Sequence, residues 1–231
     1  VVHCQTVDLE VPATAEVVIE GIIRANELEN EGPFGEYTGY MGPAAMSYVV
    51  DITCITHRNQ PIVQAFLSQM PPSESSCIRS IGRESTLLKH LKEDLRLPVR
   101  DVHLLEHSGA AAYLVISIKK THPVQPRTVM FAAWAYAPQF GKFTVVVDDD
   151  IDVRDSDDVN WALSFRVQPE SDAFIMSGTA AVSLDPSQAA ADVRQEESTR
   201  RVSSKIGIDA TRKHQFPPLA LPPREHLARV R

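Results

Sequence analysis

The sequence predicts an α/β protein, α+β overall, in which a β-rich segment precedes an alternating α/β segment. Two continuous apolar runs, at residues 111–118 and 143–147, have the length and composition of buried strands. Helical patterns follow them at residues 127–136 and 157–166. Strands that alternate with helices usually form a mainly parallel or mixed sheet that helices cover.

The first part of the chain lacks this alternation. β-branched runs at residues 17–19 and 48–55 predict strands, and a loop rich in glycine and proline separates them at residues 32–43. We therefore expect three segments. Residues 1–70 form the last part of a β-rich domain, residues 71–185 form an α/β domain, and residues 186–231 form a helical and extended arm that includes the proline-rich stretch 216–223.

Helical spacing of apolar residues marks the start of the second segment. Ser73 or Ser75 can cap a helix after the Met-Pro-Pro sequence at residues 70–72. The apolar residues of that helix are Ile78, Ile81, Leu87, Leu88 and Leu91. Residues 99–105 then predict a strand. Residues 177–201, rich in Ala, Ser, Gln and Glu, predict a loop plus a helix.

Composition excludes several classes of partner. The 231 residues are 43% hydrophobic and 23% charged, which is ordinary for a globular protein. A net charge of −7 opposes non-specific binding to nucleic acid, and no apolar run reaches the length of a membrane span. Cys4, Cys54 and Cys77 have no disulfide or zinc spacing. We expect a cytoplasmic protein with free thiols.

Metal ligands are not expected on this chain. The acidic stretch at residues 148–158 lacks the central glycine and the terminal glutamate of a calcium loop. Its aspartates are better placed to end a strand and, through Asp155 or Ser156, to cap the next helix, while Arg154 can pair locally. None of the eight histidines shows the spacing of a helical metal site.

The main candidate for chemistry is the decapeptide EGPFGEYTGY at residues 31–40. Its glycines and its proline restrict the loop that carries Glu31 and Glu36. Two carboxylates on a stiff loop beside apolar walls are a usual proton donor, because burial and mutual repulsion raise the pKa of one member. The alternative is a glycine-rich hairpin with two solvated glutamates.

The decapeptide resembles the signature loop of the UbiD-like decarboxylases, which use prenylated flavin mononucleotide (FMN). Further segments match the family's motifs in the family's order, at residues 11–21, 55–58, 70–74, 117–120, 147–152, 161–163 and 205–211. Members of that family are about twice as long, and nothing here resembles their N-terminal half. The resemblance therefore implies the C-terminal half of such an enzyme, as a fragment or cleavage product, or as one subunit of a split enzyme.

The resemblance also implies a cofactor and partners. Residues 1–70 would belong to the domain that binds prenylated FMN, which a flavin prenyltransferase supplies. A divalent metal (Mn or Mg), and K⁺ as a further ion, would have their ligands on the absent half, together with an arginine that pairs with the two glutamates. The substrate would be an aromatic or α,β-unsaturated carboxylic acid, and the α/β domain would form a homo-oligomer.

Individual residues take roles by the same resemblance. Glu36 matches the proton donor, and Glu31 matches the second glutamate of the network. Arg127, near the start of a helix in a basic segment, matches a residue that contacts the flavin phosphate, with Lys120 as the second choice. Either residue could equally belong to a solvated basic loop. Trp134 could line the substrate pocket or simply pack in the core.

A second hypothesis assigns the chain no catalysis of its own. The chain would then be an assembly module that dimerises or complements a separate N-terminal subunit. Because the expected arginine partner lies on the absent half, we expect this chain alone to be inactive even under the first hypothesis.

Overall fold

The structure, a computed structural model, describes residues 1–180, 182, 184–188, 202–220 and 222. The chain divides into two compact units. The first comprises Val1–Arg83, Leu105–Ala111 and Val182–Arg201, and the second comprises Glu84–Leu104, Ala112–Ala181 and Val202–Arg231.

Two antiparallel ladders form the first unit. Strand β1 (Val2–His3) pairs with β2 (Glu10–Val11), and β3 (Val17–Glu31) pairs with β4 (Ala45–His57) in a long hairpin. The register places Val17 opposite His57 at the open end and Glu31 opposite Ala45 beside the connecting loop. The hairpin confirms the strands expected on both sides of residues 32–43.

A buried carboxylate ties the two ladders of this unit together. Glu20 on β3 is only 3% exposed, and its oxygens accept the backbone N–H groups of Gln5 (2.8 Å) and Thr6 (2.6 Å). The amide of Gln5 is the main reason that the pKa of Glu20 lies below its ordinary value. Glu20 thereby holds the loop between β1 and β2 against the hairpin.

Several opposite pairs of side chains on the hairpin are apolar and exposed. Residues directly opposite each other in an antiparallel pair share a face. Three such pairs are Ile19 with Ile55, Ile23 with Val50, and Leu28 with Tyr48. All six side chains are at least 43% exposed. Exposed apolar side chains in this number, here called the apolar strip, are typical of a surface that another polypeptide covers.

The second unit is built on a mixed five-stranded sheet of β5 (Val99–Leu104), β6 (Tyr113–Ile118), β7 (Phe143–Asp148), β8 (Ala173–Ala180) and β9 (Val202–Ala210). The strand order is β5-β6-β7-β9-β8. Strands β6, β7 and β9 are parallel, whereas β5 and β8 are antiparallel edge strands. The predicted α/β class with a mixed sheet is confirmed.

The helices follow the predicted pattern closely. Helix α1 (Glu74–Lys89) continues into a π-helical turn at His90–Asp94, and α2 (Gln125–Tyr136) and α3 (Ser156–Arg166) each follow a buried strand. A short helix, α4 (Pro169–Asp172), precedes β8. Asp155 caps α3, because its carboxylate accepts the N–H groups of Asp157 and Asp158.

The expected arm at residues 186–231 requires a correction. Residues 202–210 are not part of a helical or extended arm, since they form β9 between β7 and β8. The parallel edge of β7 is thereby paired, which satisfies backbone groups that would otherwise be buried without partners. Residues 177–180 belong to β8 rather than to a loop, and the helix expected within 177–201 falls largely outside the described residues.

Lys205 is an unusual residue for the interior of this sheet. It lies on β9, is 3% exposed, and its ammonium donates to the carbonyl of Phe140. The Nζ atom also lies 5.9 Å from the ring centroid of Trp134. Burial lowers the pKa of Lys205 to about 8.

We therefore expect the stability of the chain to depend on Lys205 between pH 8 and pH 10.5, the ordinary value of a lysine pKa. Below pH 8 the Lys205 side chain is protonated in both the folded and the unfolded state. Between pH 8 and pH 10.5 it is deprotonated in the folded state but still protonated in the unfolded state. The free energy of unfolding therefore rises with pH over this range, by at most about 3 kcal/mol.

Denaturant titrations of the wild-type chain and of Lys205→Met should show this rise only in the wild type. The exposed Lys119→Met variant is the control and should keep the wild-type slope. An equal pH dependence in wild type and Lys205→Met would contradict the assignment.

Candidate active site

The acidic loop, residues 31–44, connects β3 to β4 and is closed by its own backbone. The N–H of Glu36 donates to the carbonyl of Tyr40 (2.9 Å), and the N–H of Gly42 donates to the carbonyl of Phe34 (2.8 Å). The N–H of Gly39 donates to the carbonyl of Glu36 (2.9 Å), which closes a tight turn over residues 36–39. The predicted stiffness of the loop therefore has a definite origin in hydrogen bonds.

Two glycines let residues 69–70 pack directly on this loop. Gly39 has φ +86°, and a Cβ built on it would lie 2.9 Å from the sulfur of Met70. A Cβ on Gly35 would lie 2.7 Å from the side chain of Gln69. Position 39 favours glycine because of its positive φ, whereas a side chain at position 35 would displace the side chain of Gln69.

The two candidate carboxylates have different surroundings. Glu31 ends β3 and is exposed, whereas Glu36 is half-buried. A Cβ on Gly42 would lie 3.0 Å from Cγ of Glu36, so Gly42 leaves the room in which this side chain sits. Among the described residues, no lysine or arginine forms an ion pair with either carboxylate. Both are therefore available to a cation from elsewhere.

Tyr37, beside Glu36 in the decapeptide, contacts an arginine that no motif in the sequence indicates. The guanidinium carbon of Arg79, on α1, lies 4.8 Å from the ring centroid of Tyr37. The only signal was the helical phase of Arg79 and Arg83, four residues apart on the same helix. That spacing predicts neighbouring cations but not the ring that they face.

The candidate phosphate ligands belong to the second unit. Arg127 lies in the first turn of α2, is exposed, and donates one 3.3 Å hydrogen bond to the carbonyl of Ser171 while lying 5.3 Å from the ring centroid of Phe174. Lys120 is more fully engaged, because its ammonium donates to the hydroxyl of Thr211 (2.7 Å) and to the carbonyl of Arg212. Of the two, Arg127 is freer to bind an anion.

The remaining candidates have packing roles. Trp134 is buried and donates from its indole N–H to the hydroxyl of Thr144 (2.9 Å). In the acidic stretch, Asp148 and Asp150 both accept from the buried guanidinium of Arg166 at 2.8–2.9 Å. Arg154 pairs with Glu84 (2.9 Å) and Asp101, which are distant in sequence, rather than with the aspartates beside it. The stretch is a set of structural ion pairs.

Metal and membrane features are lacking in the part of the chain that the structure describes. No group of three or more histidine, cysteine, aspartate or glutamate side chains is placed to hold a metal ion there. Within the same residues, no helix is both long enough and apolar enough to span a bilayer.

Two family models match the chain. The Rift-related domain of 3-octaprenyl-4-hydroxybenzoate carboxy-lyase matches residues 1–71, and the C-terminal domain of the same enzyme matches residues 76–210. Together they span most of the sequence. The chain belongs to the UbiD family.

Relatives agree with this assignment. An uncharacterized protein of Archaeoglobus fulgidus is 37% identical over 214 residues, which are 92% of this chain and 42% of that protein. The UbiD-class enzyme HmfF from Pelotomaculum thermopropionicum, in complex with FMN, is 37% identical with a TM-score of 0.80, over 98% of this chain and 49% of that one.

Two further structures extend the comparison. An evolved dimeric form of HmfF in complex with prenylated FMN is 36% identical with a TM-score of 0.74, over 95% of this chain and 45% of that one. Vanillic acid decarboxylase of Sedimentibacter hydroxybenzoicus, in its open form, is 28% identical with a TM-score of 0.78, over 99% of this chain and 49% of that one. The chain thus spans about half the length of the relatives that it matches.

The closed turn of the acidic loop predicts the effect of a substitution at Gly39. Gly39→Ala forces an alanine into a positive φ against Met70, at a cost of about 1–3 kcal/mol. Amide hydrogen exchange at Glu36 and Gly42 should accelerate by roughly tenfold or more, because these N–H groups close the same loop.

Gly82→Ala is the matched control, since Gly82 lies on α1 and a Cβ there would contact nothing within 4 Å. Exchange in the acidic loop should be unaffected in that variant. If Gly39→Ala also left exchange at Glu36 and Gly42 at the wild-type rate, the loop would not be closed as described.

Proposed function

We propose that this chain is the C-terminal part of a UbiD-class decarboxylase that removes CO₂ from an aromatic or α,β-unsaturated carboxylic acid with prenylated FMN. The observation that carries the proposal is the acidic loop, which holds a half-buried Glu36 and an exposed Glu31 without a cationic partner among the described residues. The related HmfF, solved with FMN and with prenylated FMN, supports the choice of cofactor.

Glu36 is the better candidate for the proton donor. Loss of CO₂ leaves a carbon that must receive a proton, and the bound cofactor supplies the electron sink that amino-acid side chains lack. A general acid works best where its surroundings exclude part of the solvent and fix its position. Glu36, half-buried beside Gly42 at the head of a hydrogen-bonded turn, meets both conditions better than the exposed Glu31.

Glu31 then has a supporting role. It is the last residue of β3 and is paired in the ladder with Ala45, so its Cα is fixed relative to β4. An arginine placed near both carboxylates would pair with Glu31 and leave Glu36 to deliver the proton. We propose that this arginine lies in a polypeptide equivalent to the N-terminal half of each relative, which the present chain does not span.

The same absent half would cover the hairpin. The six apolar side chains that form opposite pairs on β3 and β4 are at least 43% exposed. Burial of such a strip is favourable by about 25 cal/mol per Å² of apolar surface. We propose that the missing half completes the β-rich domain on this strip, and that it supplies the ligands for a divalent metal and K⁺.

Arg127 is the proposed phosphate ligand on this chain. It stands in the first turn of α2, where unpaired backbone N–H groups and the helix dipole favour an anion. A single 3.3 Å hydrogen bond to the Ser171 carbonyl leaves guanidinium donors for a phosphate oxygen. Lys120, with two hydrogen bonds already made, is the weaker candidate.

The oligomer that the family resemblance implies would be made by the second unit. Trp161, Phe165 and Ile175 in that unit are 38%, 70% and 72% exposed. Ile175 lies on the edge strand β8, and edge strands and exposed apolar side chains are common contact surfaces between protein copies. We propose that a second copy of the chain covers this surface.

The role of Glu36 can be tested in enzyme assembled from this chain and the missing half, produced together with a flavin prenyltransferase. Glu36→Gln keeps the shape of the side chain but removes its acid, so turnover should fall by at least about 10²-fold while cofactor absorbance is retained. Glu29→Gln, the same change at an exposed glutamate on the neighbouring strand β3, is the control and should keep wild-type turnover. Wild-type turnover by Glu36→Gln would remove this residue from the donor role.

A separate variant tests Arg127. Arg127→Ala should lower the amount of flavin that co-purifies with the assembled enzyme, because a phosphate ligand is lost, while turnover per bound flavin changes little. Arg100→Ala removes an exposed arginine of the same unit and should leave occupancy unchanged. Equal flavin content in Arg127→Ala and wild type, measured by absorbance, would show that Arg127 does not hold the phosphate.

A further inference from the structure

Tyr37 occupies a corner of the turn that presents Glu36. The turn over residues 36–39 is closed by the hydrogen bond from Gly39 N–H to the Glu36 carbonyl, so Tyr37 is its first central residue. Any rotation of the backbone at Tyr37 therefore re-aims the neighbouring Glu36 side chain.

The ring of Tyr37 is held by two other segments of the first unit. Arg79 of α1 places its guanidinium carbon 4.8 Å from the ring centroid. A Cβ built on Gly109, which is buried and has φ +67°, would lie 2.6 Å from Cδ2 of the same ring. The ring thus packs directly on the backbone of Gly109, and a residue with a side chain there would push it away.

Arg79 is itself fixed in place by the start of α1. Ser73 and Ser76 cap this end reciprocally, with Ser73 N–H donating to the Ser76 hydroxyl (2.8 Å) and Ser76 N–H to the Ser73 hydroxyl (3.3 Å). The guanidinium of Arg79 also reaches the hydroxyl of Ser68 at 3.5 Å. The Arg79 guanidinium that contacts Tyr37 therefore belongs to an ordered first turn of α1.

Arg83, one turn further along α1, belongs to the same cluster. It donates to the carbonyl of Ala110 at 2.8 Å, next to Gly109. Burial lowers the pKa of Arg83, the charge of Arg79 lowers it further, and Tyr37 acts in the opposite direction. Two neighbouring cations on one helix face repel each other, and the electron-rich ring next to Arg79 offsets part of that repulsion.

We propose that Tyr37, clamped between Arg79 and Gly109, is the positioning residue for Glu36. The inference rests on the proposed function of the acidic loop and adds the device that aims its proton donor. Proton transfer requires the donor within hydrogen-bond reach of the reacting carbon, and a displacement of about 1 Å can reduce the rate by about 10²-fold. The clamp on Tyr37 therefore restricts the displacement of the adjacent Glu36.

The test uses matched substitutions at both sides of the ring. Tyr37→Leu removes the ring, whereas Tyr37→Phe keeps it. Arg79→Met removes the cation but keeps the stem, whereas Arg79→Lys restores a cation. Arg24→Met is the control, because Arg24 pairs instead with Asp51 on the hairpin (2.6 Å).

The first readout is amide exchange at Gly39 and Gly42 in the 231-residue chain, which needs neither cofactor nor activity. Exchange should accelerate by roughly tenfold in Tyr37→Leu and Arg79→Met and should stay near wild type in Tyr37→Phe, Arg79→Lys and Arg24→Met. Unchanged exchange in Tyr37→Leu would overturn the clamp whatever the enzyme does.

The second readout is steady-state kinetics of the assembled enzyme. Tyr37→Leu should lower kcat by about 10–100-fold with little change in KM, since a misaimed donor affects the step after substrate binding. Tyr37→Phe should recover most of the loss. Faster exchange without any loss of kcat would overturn the positioning role, whereas full activity of Glu36→Gln would contradict the proposed donor and leave the exchange result standing.

Discussion

The closure of the acidic loop by its own backbone is the constraint on which the site depends. Three hydrogen bonds, from the N–H groups of Glu36, Gly39 and Gly42, turn a long connection between two strands into an ordered structure. Without them, fixing so many residues would cost about 1–2 kcal/mol each in backbone entropy and gain little in return. The glycines permit this closure because residues 69–70 pack where side chains would otherwise project.

Burial distinguishes the two candidate glutamates. Their sequence spacing and the rigidity of the loop could be predicted from residues 31–40 alone, and the family resemblance named both as functional. The asymmetry could not be predicted in this way, because it depends on the end of β3 leaving Glu31 exposed while Gly42 leaves room for Glu36. A sequence motif identifies the two carboxylates, but it does not show which of them is buried.

The fold predictions likewise succeed where local sequence signals decide the structure and fail where tertiary contacts decide it. Strands β6 and β7 and helices α2 and α3 follow local signals, namely apolar runs, helical periodicity and caps, and were predicted within a few residues. Strand β9 was not, because its sequence VSSKIGIDA includes a lysine and a glycine that weaken a strand signal. Only tertiary contacts account for them: Met130 and Phe174 pack where a side chain on Gly207 would lie, and the Phe140 carbonyl accepts from Lys205.

The role of Glu36 as proton donor can be tested by following the proton itself. The assembled enzyme is incubated in D₂O with the decarboxylated product alone, and deuterium entering the product at the former carboxyl position is measured by NMR. If Glu36 delivers and removes that proton, the wild-type enzyme exchanges it and Glu36→Gln does not, although both retain the cofactor. Exchange at the wild-type rate in Glu36→Gln would contradict the account.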